Sequence, residues 1–123
     1  METILVVDDE RGIADTLREV FRLAGYSSTA VYNAEDALVI LRSTQPALIV
    51  TDVIMPGMNG VDLALQARLL YPEAKILLIS GNAVTQDLVE KAAGEGHSFE
   101  LLAKPIPPRQ MLAKVASMLG KIA

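Results

Sequence analysis

Apolar residues in this chain fall into short unbroken runs that alternate with stretches of helical spacing. Residues 3–7 (TILVV) are apolar and rich in β-branched side chains without alternation, the pattern of a strand covered on both faces, and they end at Asp8-Asp9-Glu10. From Gly12 the period changes. Ile13, Leu17, Val20, Phe21 and Ala24 recur at helical spacing, and Gly25 follows as a C-terminal stop. Residues 26–32 (YSSTAVY) predict a weaker, more polar strand, suited to a sheet edge. Asn33 with Asp36 has the form of an N-cap and its acidic partner, opening a helix through Ala37, Leu38 and Leu41 that Gln45-Pro46 ends.

Residues 47–52 (ALIVTD) predict a third, buried strand that delivers Asp52 to its end. The chain then breaks into a loop containing Met55-Pro56-Gly57 and Asn59-Gly60. A helix over 61–71, apolar over much of its surface, is halted by Pro72. Residues 75–80 (KILLIS) are apolar until the terminal hydroxyl, a fourth strand. Gly81-Asn82 turns the chain into a helix whose buried stripe is Val84, Leu88 and Ala92, and Gly94 and Gly96 release it. Residues 99–103 (FELLA) alternate only partly, which suits the other edge. Lys104-Pro105 ends that strand, and Pro107-Pro108 leads into a last helix through Met111, Leu112, Val115 and Leu119.

Five strands alternating with five helices predict a doubly wound α/β fold, a mostly parallel sheet with helices on both faces. With the weaker strands two and five at the edges and right-handed crossovers, the strand order is 2-1-3-4-5, the flavodoxin-like arrangement. The connections then reverse direction between strands one and three, and a crevice opens at their carboxyl ends. Asp8, Asp9 and Asp52 end those two strands.

Composition narrows the setting. A chain of 123 residues, 51% hydrophobic and 21% charged, makes one domain over 1–123 with a core that needs no covalent staples. No apolar run reaches the roughly 18 to 20 residues that span a bilayer, and the start METILVVDDE lacks a basic leader, so a cytoplasmic protein without membrane contact is expected. The absence of cysteine removes disulfides, thiolate metal sites and thiol catalysis. A net charge of -4 with scattered Lys and Arg argues against direct nucleic-acid binding by this chain.

Three carboxylates converging on one crevice repel one another unless a positive charge sits among them. A divalent cation meets that need, and with hard oxygen ligands, no cysteine and a distant single histidine, Mg²⁺ is favoured over zinc. Ser80 ends the strand next to that of Asp52, and Lys104 ends the fifth strand with a long stem carrying a point charge. Metal, hydroxyl and ammonium around a carboxylate make a place for a phosphoryl group, whose transfer needs mainly positioning and charge neutralisation. Taken singly, Asp52 reads as a cap or turn residue, Ser80 as a helix cap and Lys104 as a solvated lysine. Their joint placement makes the functional reading.

The spaced set VVDDE, TDVIMPGMNG, LLISGN and LLAKP, in order along essentially the whole chain, resembles the receiver domain of two-component response regulators. The resemblance implies that Asp52 accepts a phosphoryl group from the phosphohistidine of a sensor histidine kinase or a histidine phosphotransfer protein. It implies that Asp9, Asp52 and the Ile54 backbone carbonyl bind Mg²⁺ directly, with Asp8 acting largely through water. Ser80 and Lys104 would bind phosphoryl oxygens, and the Lys104-Pro105 bond is expected to be cis. Such a protein catalyses its own Mg²⁺-dependent phosphorylation and dephosphorylation and is not a conventional enzyme. Its switch would run through Ser80 and Leu101; family members commonly carry Tyr or Phe at the latter position, where ring rotation accompanies movement of the strand-four hydroxyl. Ile54 and Asn82 stand at two positions that influence acyl-phosphate hydrolysis in the family. By resemblance again, the signal leaves through the face of helix four, strand five and helix five, to a downstream protein or to an output domain. The chain is expected to be a stand-alone regulator or an excised receiver.

Two rival readings share parts of this chemistry. A phosphohydrolase with an aspartate nucleophile would carry a second acid two residues after Asp52, where this chain has Ile54. A flavin-binding module of the same topology would carry a Ser/Thr/Gly-rich loop after strand one, where this chain has three acids. His97, Phe99, Met55 and Met58 read as surface or packing residues.

Overall fold

The computed structural model describes residues 2–81 and 84–120, and for 84–86 the backbone alone. Among the described residues ten elements alternate: β1 (Thr3–Val7), α1 (Arg11–Leu23), β2 (Ser27–Val31), α2 (Ala34–Leu41), β3 (Leu48–Asp52), α3 (Gly60–Leu70), β4 (Ile76–Ser80), α4 (Val84–Gly94), β5 (Glu100–Ala103) and α5 (Pro108–Met118). The sheet is parallel throughout, in the order β2-β1-β3-β4-β5. The polar run SSTAV therefore lies at one edge and the short ELLA strand at the other, as their composition predicts.

Strand pleating divides the core in two. Ile4, Val6, Leu48, Val50, Leu77 and Ile79 face Phe21 of α1 and Met111 and Val115 of α5. Leu5, Val7, Ile49, Ile76 and Leu78 face Leu41 of α2, Leu63 of α3 and Ala92 of α4. Each large side chain removed from water in this way contributes roughly 1.5–3 kcal/mol, which is why β3 and β4 can be buried at every position. Alanines at 34, 37, 64, 67 and 92 let the second set of helices lie close to the sheet.

Two helices begin with the same device. The Asp36 N–H donates to Asn33 Oδ1 at 2.6 Å at the start of α2, as the sequence predicts, and the Asp62 N–H donates to Asn59 Oδ1 at 2.8 Å at the start of α3. Differences from the sequence expectation lie at element ends. Tyr26 falls outside β2 and packs edge-on against Phe21, with centroids 6.3 Å apart. Tyr32 also falls outside it, and its hydroxyl donates to Asp15 of α1 at 2.6 Å. Ala24, just past the end of α1, is exposed, while Ile13 and Val20 within it are half-buried. Of the predicted α4 stripe, Ala92 is buried and Leu88 half-buried; the side chain of Val84 lies outside the described residues. No helix among the described residues is long and apolar enough to cross a membrane.

Candidate functional site

Register sets the site. Val7 pairs with Thr51, so Asp8, just past β1, and Asp52, the last residue of β3, stand side by side at the carboxyl edge. On the other side of β3, Asp52 pairs with Ile79 and Ser80 pairs with Ala103, which places Ser80 and Lys104 at the same carboxyl edge. The Lys104 N–H donates to the Ser80 carbonyl at 2.8 Å, fixing where the lysine stem starts. From there its ammonium reaches across the crevice, donating to Asp8 Oδ2 at 3.1 Å and to Asp52 Oδ2 at 3.3 Å. The remaining oxygens are held by backbone: the Glu10 N–H donates to Asp8 Oδ1 at 2.9 Å and the Val53 N–H to Asp52 Oδ1 at 2.8 Å. The Lys104-Pro105 bond is cis.

Asp8 is fully buried, Asp52 almost so, and Asp9 exposed at the rim. Carboxylate oxygens of the three lie within 4.8 Å of one another, close enough to share one small cation. The electrostatics fit such an ion. Burial first, and the Asp8 charge second, push the pKa of Asp52 above the ordinary carboxylate value, and Lys104 with the Val53 N–H draw it only part of the way back. Lys104 is held above its ordinary value: burial, the largest single influence, pulls it down, but hydrogen bonding and charge from Asp8 and Asp52 together outweigh that. A single ammonium thus leaves the pocket short of positive charge, and hard oxygen donors are what Mg²⁺ takes.

The loop from Val53 to Asn59 is pinned at both ends. The Gly60 N–H donates to the Val53 carbonyl at 2.8 Å, and a Cβ built on Gly60 would sit 2.1 Å from the backbone oxygen of Asp52. Only glycine lets α3 start this close to the end of β3. Gly60→Ala is expected to destabilise the domain by about 3 kcal/mol, because backbone faces the new methyl and no flexible side chain can move aside. Urea denaturation measures this; an unchanged midpoint would remove the packing argument. In the middle of the loop Met55 is buried, and Gly57 takes φ +77°. Gly60 and the loop contacts are what sequence reasoning missed, although the repeated Asn-x-x-Asp spacing at 33 and 59 marks the helix starts that frame them.

The other singled-out residues fall as follows. Ser80 is buried at the end of β4, and Ile54 is exposed, at 38%, on the loop after Asp52. Leu101 is half-buried and pairs with Leu78, on the sheet face covered by α2, α3 and α4. Asn82 lies outside the described residues. His97 is exposed, away from the acids, and Phe99 packs on the core with the Arg68 guanidinium 4.3 Å above its ring. Beside Lys104 an apolar groove of about 510 Å³ runs between α1 and α5, lined by Ile13, Leu17, Val20, Ile106 and Met111.

The family model described as "Response regulator receiver domain" matches residues 4–116. The chain belongs to the response regulator receiver family. Relatives of the receiver include the DNA-binding response regulator MtrA of Mycobacterium tuberculosis strain H37Rv, 31% identical over 121 residues, which are 98% of this chain and 51% of that protein. The response regulator MprA of Mycobacterium avium strain 104 is 30% identical, covering 96% of this chain and 51% of its own. The receiver thus spans about half the length of the curated relatives it matches. Among solved structures, a CheY-like receiver domain protein from Methanospirillum hungatei superposes with TM-score 0.88 at 27% identity, covering 98% of this chain and 94% of that one. The response regulator TrrA of Thermotoga maritima, solved in complex with Mg(2+)-BeF, superposes with TM-score 0.84 at 30% identity, covering 96% and 99%. These matches favour the two-component receiver over both rival readings.

Proposed function

We propose that Asp52 is the phosphoacceptor of this receiver, taking a phosphoryl group from the phosphohistidine of a sensor histidine kinase or histidine phosphotransfer protein in the cytoplasm. The observation that carries the reading is the bridge Lys104 makes between Asp8 and Asp52 in a pocket that Asp9 completes. An Asp52 oxygen attacks phosphorus, the donor's N–P bond breaks, and the electron pair stays on the imidazole, which takes a proton. Burial makes that carboxylate more basic than an exposed one, and so a better nucleophile once ionised. Asp9, Asp52 and the Ile54 carbonyl would hold Mg²⁺, with Asp8 behind them; when bound, the ion offsets negative charge on the carboxylates and phosphoryl oxygens. The Mg(2+)-BeF complex of the Thermotoga relative supports a place for Mg²⁺ and a phosphoryl group in this site, since a fluoroberyllate has the tetrahedral shape of a phosphoryl group.

Lys104 then exchanges one carboxylate for a phosphoryl oxygen, and the Ser80 hydroxyl binds another. The movement of Ser80 passes to Leu101 on the neighbouring strand, and from there to the α4–β5–α5 face, where a downstream protein or an output domain reads it. Leucine there transmits by repacking and not by ring rotation. The 123-residue domain is the phosphoacceptor unit. Incubation with Mg²⁺ and acetyl phosphate should give one alkali-labile phosphoryl adduct, located at Asp52 by peptide mass spectrometry, and chelation of Mg²⁺ should prevent it. An adduct at another residue, or fast multiple turnover of unrelated phosphate esters, overturns the reading.

A further inference from the structure

The corner between β2 and α2 touches both walls of the crevice. The Val31 carbonyl accepts the Asp8 N–H at 3.2 Å, and three residues later α2 begins. In its first turn Glu35 extends to the loop after Asp52, where its Oε2 accepts the Met58 N–H at 3.3 Å. The same oxygen lies 2.7 Å from where a Cβ on Gly57 would be, so the carboxylate rests against the 57–58 peptide. Gly57 is suited to this twice over: its φ of +77° disfavours any side chain, and the missing side chain leaves room for Glu35. One short segment, 31–35, therefore holds Asp8 on one side and the loop carrying Ile54 on the other.

We infer that Glu35 is a positioning residue for the metal-binding loop, holding the Gly57–Met58 peptide so that the Ile54 carbonyl stays within reach of the ion shared by Asp9 and Asp52. The inference rests on the receiver reading of the site. Glu35 touches neither the ion nor the phosphoryl group; it limits the conformations that loop 53–59 samples before the ion arrives. A loop left free must be ordered at the moment of binding, and that ordering lowers affinity. The contact needs an acceptor oxygen and not a negative charge, so glutamine serves as well as glutamate and alanine does not.

The test compares the wild type with Glu35→Ala and Glu35→Gln, each checked for folding by its thermal midpoint. Hydrogen exchange at the Met58 amide is followed by NMR without metal, and Mg²⁺ affinity by calorimetry. Glu35→Ala is expected to speed Met58 exchange and weaken Mg²⁺ binding by about fivefold each, the equivalent of one net hydrogen bond. Glu35→Gln should restore both to within about twofold of the wild type. Unchanged Mg²⁺ affinity in Glu35→Ala, or a glutamine variant as impaired as the alanine one, overturns the inference. If the wild type itself binds no Mg²⁺, the receiver chemistry fails instead, and Met58 exchange still decides whether Glu35 holds the loop.

Discussion

Asp52→Asn is expected to take up no phosphoryl group from acetyl phosphate and Mg²⁺, while raising the stability of the metal-free domain. The first effect follows from chemistry: a neutral amide oxygen does not displace the donor's leaving group at neutral pH, and Asn keeps the volume and the acceptor that the Val53 N–H meets at 2.8 Å. The second follows from the raised pKa of Asp52. From the ordinary value of 3.8 upward, the folded state retains a proton that the unfolded state has released. Folded protein therefore binds more protons in that window, and stability falls as pH rises through it. The asparagine variant lacks this titration, so its stability should decline less between pH 4 and 7 and its urea midpoint at neutral pH should exceed that of the wild type. Mass spectrometry after phosphodonor treatment and urea melts at two pH values separate the claims. Phosphorylation of the variant at the wild-type rate would end the assignment of Asp52, and a lower midpoint at neutral pH would show that the pocket gains more from its charge than burial takes away.

The same opposition explains why the site was readable from the chain alone. An unbroken apolar run such as 47–50 has one stable placement, the middle of a covered sheet, and the polar residues that end it are carried toward the sheet's rim. Asp8, Asp52 and Ser80 are each such end residues, and parallel pairing aligns their ends without further information. Lys104 was legible for the same reason, one position past Ala103. Helix faces were less clear, because apolar spacing states which residues share a side and not how far a neighbour covers them. Ile13 and Val20 thus line an open groove, and Leu69, in a helix read as apolar over much of its surface, is 77% exposed. Gly60 was visible only as a loop residue and Glu35 not at all, since their roles depend on how α2 and the start of α3 approach the loop after Asp52. That approach is tertiary: the Asn-x-x-Asp spacing marks where the two helices start and not what they lie against.

Lys104→Met should cost the metal-free domain about 3 kcal/mol at pH 7, because it leaves two buried carboxylates facing one another without their shared cation. The side chain of Lys104 is 19% exposed, so little of its interaction is screened by water, and methionine of similar length avoids opening a cavity. The pH dependence has a definite sign. In the wild type the ammonium, with its folded pKa above the ordinary 10.5, contributes stability that is complete at neutral pH and lost only as pH rises through that raised value. Without it the pKa of Asp52 loses its main downward influence and climbs further, so the variant's deficit should shrink as acid neutralises Asp52 and grow toward pH 7. Mg²⁺ should recover part of the loss, since an ion bound by the folded state alone stabilises it by mass action. Phosphorylation is expected to persist at a reduced rate, because the nucleophile remains and only one source of positive charge has gone. Urea melts at pH 4.5 and 7, with and without Mg²⁺, give the four stabilities required. A deficit independent of both pH and metal would mean that Lys104 acts through packing of its stem against the α1–α5 groove and not through the charge it places between Asp8 and Asp52.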